Sequence, residues 1–447
     1  MAQAKRIASF LLVGAVATAS LSACGSSNGE GGQPNGSASA PSGSGSTGGK
    51  KITLSVQTPY ADEANPNLKT LRKLVAEYTA AHPNITFTID ALPTDQQKLK
   101  LKTQAASNEI PDITSLNPGA QMKPFVDEDL LAPLDDILDK DGLRDTFKKD
   151  LLNNYTFNGH TYGLPEQLDI AYIYYNKDLF KEAGVEVPKT YEELVASAAK
   201  FNAKGIVPMT IGEKETWTGS FFLMNILLRE SGPGFLKDVL EKKKQFTDPA
   251  FVQSINKFKE FVKAKGFEEG APSVDYATAM NLFLTGKAAM YFSASWDSGS
   301  IESSSIKDKV GVFSFPTVDG KGDVGQFMLS PGNSYVVSAA SKHMAEAKDF
   351  LHFYMTNFPK TMFELKGGVG LAQNVDGDFK AAGYSQAAID VLGLFKTVTG
   401  GDLAFDNTID PTTTQTHLNA VQNLFVSDTN AEEVAKEHQN DFEINNP

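Results

Sequence analysis

Trp217 and Trp296 are the only two tryptophans in the chain, and both stand at the boundary of an apolar segment. Trp217 follows Lys214-Glu215-Thr216 just before an apolar helical stretch. Trp296 ends an apolar strand and precedes Asp297-Ser298-Gly299. An aromatic face so placed can stack on the C–H patches of a ligand, while carboxylates and amides form paired hydrogen bonds with hydroxyls. Polar candidates of that kind fall in strand-end loops: Asp62 and Glu63 after the first strand, Asn117 after the third, and Asn333 in Pro331-Gly332-Asn333. Asp402 and Asp410 lie in a loop-rich segment ahead of the last helices. The plainer readings are that the tryptophans pack at a core edge and that each carboxylate caps a helix or faces solvent, Asp62 in particular.

Patterns of catalysis are missing from the body of the chain. The six histidines (His82, His160, His343, His352, His417, His438) form no HExxH pair or comparable ligand spacing, so no metal site is expected. No G-x-x-x-x-G-K-[ST] phosphate loop occurs. The G-x-S-x-G match at 25–29 lacks the preceding strand and following helix that a nucleophile elbow requires. Counting carboxylates leaves a glycosidase pair open. The expectation is no catalytic residue and no cofactor.

The elements that must position these residues read as α/β. Ile52 to Val56 alternate as a strand, and Leu68, Leu71, Leu74, Val75 and Tyr78 recur at helical spacing with Pro83 beyond. Ile85, Phe87 and Ile89 alternate again, and a helical stretch over 96–106 leads to a third strand at 112–116. Strands and helices in this order build a mostly parallel sheet. Its ligands sit outside the carboxyl ends of the strands, here in the loops beginning at Gln57 and Asn117. Farther on, Thr190 with Glu193 forms a capping box, as does Thr429 with Glu432. Phe251, Ile255, Phe258 and Val262 form an apolar stripe, and strands are expected at 288–293, 310–315 and 335–338. A helix carrying Met344, Ala347, Leu351 and Tyr354 follows. Phe221, Phe222, Leu223 and Ile226 read as a helix core face, and Tyr172, Tyr174 and Tyr175 as a buried strand. Lys242 to Lys244 read as a solvated helix face.

The beginning of the chain carries a different signal. Lys5 and Arg6 precede an apolar run over 7–19 that is shorter than the roughly 20 residues a membrane span needs. With Leu21-Ser22-Ala23-Cys24 at its exit, this reads as a signal peptide over 1–23 that ends at a lipobox. In bacterial lipoproteins with that motif the cysteine is lipidated, so Cys24 is the expected lipidation site. Cys24 is the sole cysteine, which excludes an internal disulfide or a thiolate cluster. Residues 25–49 are Gly/Ser-rich with Glu30 the only charge, a flexible tether whose ends lie about 25–30 Å apart. The net charge of −13 argues against nucleic acid and polyanionic ligands as partners. Residues 50–447 are long enough for two cores.

Six segments in order resemble the extracellular solute-binding proteins of bacterial sugar importers, the group that contains the maltodextrin-binding protein. They are Asn108 to Ile113 with Leu131 to Asp135; Tyr162-Gly163-Leu164-Pro165; and Tyr174-Tyr175-Asn176-Lys177-Asp178-Leu179-Phe180. Next come Pro188 to Leu194, with Tyr191 where tryptophan is usual; Gly286 to Met290 with Ser295-Trp296; and Gly332 to Lys342. One departure is Ala171, which stands one place early before the Y-N-K signature. The resemblance implies a two-lobed, periplasmic-binding-protein-like α/β fold, each lobe a mostly parallel sheet flanked by helices. The first lobe would be 50–165 plus 325–360 and the second 166–324 plus 361–447. Hinge crossings fall near Gln167, Gln326 and Lys360, which adds Glu166, Gln167 and Asp169 as ligand candidates at the first crossing. The function implied is that of a non-enzymatic, monomeric receptor that captures a carbohydrate, an oligosaccharide, between its lobes. Its partners would be the permease subunits of an ABC transporter and, through Cys24, the outer face of the cell membrane. The alternatives are a surface glycoside-active enzyme and a solute-sensing or adhesion lipoprotein.

Overall fold

Alternation from Ile52 onward produces β1 (Ile52–Thr58), which runs past the apolar pattern, so Gln57 and Thr58 are buried strand residues and the loop begins at Pro59, not at Gln57. The computed structural model describes residues 50–446. The expected signal peptide, Cys24 and the tether lie outside the described residues. Asn65 caps the helix Pro66–Ala81, Pro66 fits its first turn, and Leu68, Leu71, Leu74 and Tyr78 form its buried stripe. β2 (Ile85–Ala91), the helix Thr94–Ala106 and β3 (Ile113–Leu116) follow as the pattern predicts. β1 pairs in parallel with both β2 and β3.

A short ribbon of β4 (Thr156–Phe157) and β5 (His160–Thr161) precedes β6 (Leu164–Pro165) at the edge of this first sheet. The chain then enters a second sheet through β7 (Asp169–Asn176). β8 (Val207–Thr210), β9 (Ala288–Ala294), β10 (Val310–Phe313) and β11 (Gln326–Ser330) build around it. β12 (Ser334–Val337) returns to the first sheet, and β13 (Gly400–Leu403) closes the second. The first sheet has the order β2-β1-β3-β12-β6. The second is β13-β11-β7-β9-β8, with β10 also on β7. β8–β9 and β11–β13 are parallel, while β7 runs antiparallel to its neighbours because it enters from the opposite lobe.

Each lobe has its own core. The first is built on Leu54, Val56, Leu71, Tyr335 and Phe350. The second is phenylalanine-rich, with Phe222 touching the rings of Phe258, Phe261, Phe267, Phe292 and Phe315. Phe221, Phe222, Leu223 and Ile226 are buried on the helix Trp217–Ser231, and Tyr172 and Tyr174 are buried in β7.

Three connections join the lobes. Gln167 lies in the first, between β6 and β7. Gln326 is the first residue of β11 and belongs to the second sheet, so the second connection falls later, at Pro331-Gly332-Asn333. Lys360 is still inside the helix Met344–Glu364, which packs on the first core; the third connection runs along the seam, where Leu371 bridges Gln167. Glu166 N–H donates to the Asn333 carbonyl (3.2 Å) and Leu168 N–H to the Gly370 carbonyl (2.8 Å), lacing the three together. Gly332 has φ +77°, and a Cβ there would come within 2.7 Å of the Gln167 carbonyl oxygen, so the crossing requires glycine.

Two local readings differ. The last helix, Ala431–Asn445, is capped by Asn430 and not by Thr429, whose hydroxyl is paired with Ser427 (2.6 Å). Lys242 to Lys244 lie in a turn beyond the helix Phe235–Leu240, because Lys242 adopts φ +57° and ends it. The first capping box is present, with Glu193 N–H donating to Thr190 Oγ1 (3.2 Å) and Lys189 N–H to the Glu193 carboxylate (2.7 Å).

Candidate functional site

The carboxyl ends of β1, β2 and β3 in one lobe and of β8, β9 and β13 in the other open into one cavity of about 590 Å³. This is where parallel strands leave backbone and loop groups free to meet a ligand.

An aromatic wall forms the side belonging to the second lobe. Trp217 opens the helix Trp217–Ser231, Tyr276 opens the helix Tyr276–Leu284 behind its cap Asp275, and Trp296 sits in the turn after β9. The Trp217 and Trp296 rings meet edge to face at 5.8 Å, Trp217 lies 5.3 Å from Tyr276, and Trp296 stacks on Phe221 at 5.7 Å. Both tryptophans are half-buried, with part of each ring left on the cavity. Hydrogen bonds fix the wall: Trp296 Nε1–H donates to Tyr276 Oη (2.7 Å), and the Tyr276 hydroxyl donates in turn to Asp297. Tyr291 Oη (2.8 Å) and Ser293 Oγ (2.6 Å) donate to the same Asp297 oxygen. Burial pushes the Asp297 carboxyl up, and these donors oppose it. Its role is therefore to hold the ring set in place.

The hinge supplies the floor. Asp169, the first residue of β7, is 1% exposed. Its Oδ1 accepts from Ser295 Oγ (2.6 Å), while Oδ2 has no partner and its side chain lines the cavity. Burial raises its pKa to about 8, against the opposing pull of Ser295 and Lys148. Gln167 is buried beside it and also lines the cavity. Glu166 turns the other way: its carboxylate accepts from Tyr354 Oη (2.6 Å) and Tyr60 Oη (3.0 Å) within the first lobe, and burial raises its pKa to about 7.

Among the other expected residues, Asp62, Asn117 and Asn333 line the side belonging to the first lobe. Asp62 shapes the turn after β1 by accepting from Ala64 N–H (2.8 Å), and Asn117 donates to Gln121 (3.2 Å). Glu63 and Asp402 do not line the cavity. Glu63 is an exposed partner of Arg72 (2.5 Å), and Asp402 accepts from Gly234 N–H (2.7 Å) at a helix start. Asp410 caps the helix Pro411–Asn423.

The lobes also touch at the rim away from the hinge. Gln121 Nε2 donates to Asp406 Oδ2 and Asn407 Oδ1 (both 2.8 Å), and Lys98 stands 3.9 Å from Asp406. Gly119, at φ +62°, lies so close to Asn407 that an added Cβ would collide with its carbonyl oxygen. This is a closed arrangement of the cleft. The lining holds seven carboxylates and two lysines, a surface unsuited to anions. No cluster of His, Cys, Asp or Glu suited to a metal ion occurs among the described residues.

Tyr276, Asp297, Gln121 and Asp406 escape the sequence reading. Asp275-Tyr276 carries a cap signal that places Tyr276 at a helix start, and Asp297 directly follows Trp296; the rim contacts leave no local signal.

Residues 62–357 match the family described as bacterial extracellular solute-binding protein, and the chain belongs to that family. It is 25% identical over 296 residues to the multiple sugar-binding protein of Streptococcus mutans, covering 64% of this chain and 68% of that one. A solved structure from work on xylan utilisation by the thermophilic bacterium Caldanaerobius polysaccharolyticus is similar, with a TM-score of 0.81 and 29% identity over 87% of this chain and 99% of that one. A chitin oligosaccharide binding protein aligns with a TM-score of 0.80 and 26% identity over 89% and 100% of the two chains. These structures bear out the two-lobed α/β fold. No described helix is long and apolar enough to cross a membrane.

Proposed function

We propose that this chain is the substrate-binding component of an ABC importer, which captures an oligosaccharide between its lobes and delivers it to the permease. The observation that carries this reading is the pairing of surfaces across the cavity. A Trp217–Trp296–Tyr276 wall faces a floor on which a buried carboxylate oxygen, Asp169 Oδ2, lacks a partner. Rings of that kind stack on the C–H faces of a pyranose, and an unpaired buried carboxyl oxygen is satisfied by a ligand hydroxyl. Gln167, Asn117, Asn333 and Asp62 add further polar groups around the same space. The sugar-binding relatives support the ligand class, and the acidic lining favours an uncharged glycan.

The rim contacts and the laced hinge provide the two ends of an opening motion. A ligand that touches both lobes stabilises the closed form by its differential affinity, which gives the permease a loaded state to distinguish. The protein acts as a binder and not as an enzyme, works as a monomer, and is held at the outer face of the membrane by the lipid on Cys24.

The test is calorimetry of the full chain against maltotriose, raffinose, xylotriose and chitotriose. Saturable binding of at least one sugar with no change in that sugar is expected. Absence of binding across the panel would overturn the ligand class, and turnover of any sugar would overturn the non-enzymatic role.

A further inference from the structure

A buried chain of hydrogen bonds leads from the cavity into the second lobe. Ser220, one turn after Trp217 on the same helix, lines the cavity, and its Oγ lies 2.8 Å from His417 Nε2. His417 Nδ1 lies 2.9 Å from His438 Nε2, and His438 Nδ1 lies 2.7 Å from the Val434 carbonyl oxygen. His417 is 0% and His438 1% exposed. His417 stacks flat on Phe405 at 3.8 Å, while His438 packs among Phe246, Phe251 and Phe405. Asp441 is the one carboxylate that acts on His438, and it favours the protonated ring.

The direction of each bond follows from one end. A carbonyl only accepts, so His438 carries its proton on Nδ1. In a neutral ring Nε2 is then bare and accepts, which requires His417 to donate from Nδ1. His417 Nε2 is bare in turn, so the Ser220 hydroxyl must donate to it. Burial keeps both rings neutral: it holds His417 well below the usual imidazole range, helped by His438, and pushes His438 down to about 4.

We propose that His417 and His438 are positioning residues that lock Ser220 as a hydrogen-bond acceptor at the cavity wall, where it selects a ligand hydroxyl able to donate. This rests on the reading of the cavity as the sugar site. With its only proton committed inward, Ser220 presents lone pairs alone, so a sugar must offer an O–H at the place one helical turn beyond the Trp217 ring.

Two measurements test this. In long-range proton–nitrogen spectra of the full chain labelled with 15N-histidine, both rings should carry their proton on Nδ1 at neutral pH. A proton on Nε2, or on both nitrogens of either ring, overturns the relay. In calorimetry with the same four sugars, Ser220→Ala should weaken binding about five-fold, the value of one hydrogen bond. His438→Phe should release His417 to a mixture of tautomers and weaken binding to a similar extent. A Ser220→Ala protein that binds as tightly as its parent overturns the selection role, even if His438→Phe fails to fold. If the parent binds none of the sugars, the proposed function falls, and the spectra still decide the relay on their own.

Discussion

Replacing Asp169 with asparagine should stabilise the sugar-free protein, and increasingly so as pH rises. The ordinary value for this carboxyl is 3.8, and burial raises it to about 8 in the fold. A group held up in this way makes the folded state bind the proton more tightly than the unfolded chain. Its effect is neutral below about 4, grows through the window between the two values, and is complete above 8. Each pH unit in that window costs about 1.4 kcal/mol, so the charged form is worth up to ~6 kcal/mol of destabilisation at pH 8. Relaxation and water entry on opening of the cleft reduce this, and a difference of about 2–4 kcal/mol is the working expectation. Asparagine keeps an oxygen for the Ser295 hydroxyl and removes the charge. Glu166, raised to about 7 by burial, destabilises both proteins alike and cancels in the difference. Urea unfolding of parent and variant at intervals from pH 5 to pH 9 reads the effect. The two stability curves should lie closest at pH 5 and diverge up to about pH 8. Parallel curves would refute the buried, unpaired state of Asp169. Above pH 8, where the parent carboxyl is charged, the same variant should bind sugar more weakly, since it places an amide where the ligand hydroxyl meets an acceptor.

The remaining predictions concern the wall, the rim and the anchor. Trp296→Ala and Trp217→Ala should each weaken sugar binding by roughly 30- to 100-fold, about 2–3 kcal/mol for a lost stacking surface, as measured by calorimetry. Gln121→Ala removes both rim hydrogen bonds to Asp406 and Asn407, so small-angle scattering should show a more open average without sugar and an unchanged closed form with it. Affinity should drop only a few-fold; a loss as large as that of the tryptophans would place Gln121 in the ligand contact and not in closure. Cys24→Ser should move the protein from the membrane fraction to the medium, and retention of the variant on membranes would remove the lipid anchor from the account.

The parts of the fold carried by local pattern were readable because one face of each element had to be buried. The period-two strands at 52–56 and 85–89, and the stripe Leu68, Leu71, Leu74 and Tyr78, admit one placement each. Strand direction was less readable. β7 is antiparallel to β9 and β11 only because the chain reaches it through the hinge, and nothing within residues 169–176 records that history. The late crossings slipped for a related reason. Gln326 and Lys360 sit in regular elements whose ends are set by contacts made elsewhere, including the pairing of β11 with β13. Asp402 shows the same limit at the level of a side chain: a carboxylate in a loop-rich segment has the composition of a ligand contact, yet a helix start in the same lobe takes it.

The hinge residues Glu166, Gln167 and Asp169 look equivalent in sequence, and the extended backbone separates them. Successive side chains on an extended segment point to opposite sides, so residues 167 and 169 share one side and 166 and 168 the other. Leu168 packs on the first core, which commits Glu166 to that side as well, where Tyr60 and Tyr354 hold it. Gln167 and Asp169 are thereby left on the cavity. Asp169 is then tied to the second lobe through Ser295, and Glu166 to the first. Two carboxylates three residues apart thus grip opposite lobes, with the first connection between them. Closure must rotate the backbone between Glu166 and Asp169 without breaking either grip. A sugar hydroxyl that reaches Asp169 Oδ2 therefore binds a hinge group whose position already belongs to the second lobe, the lobe that also carries the aromatic wall.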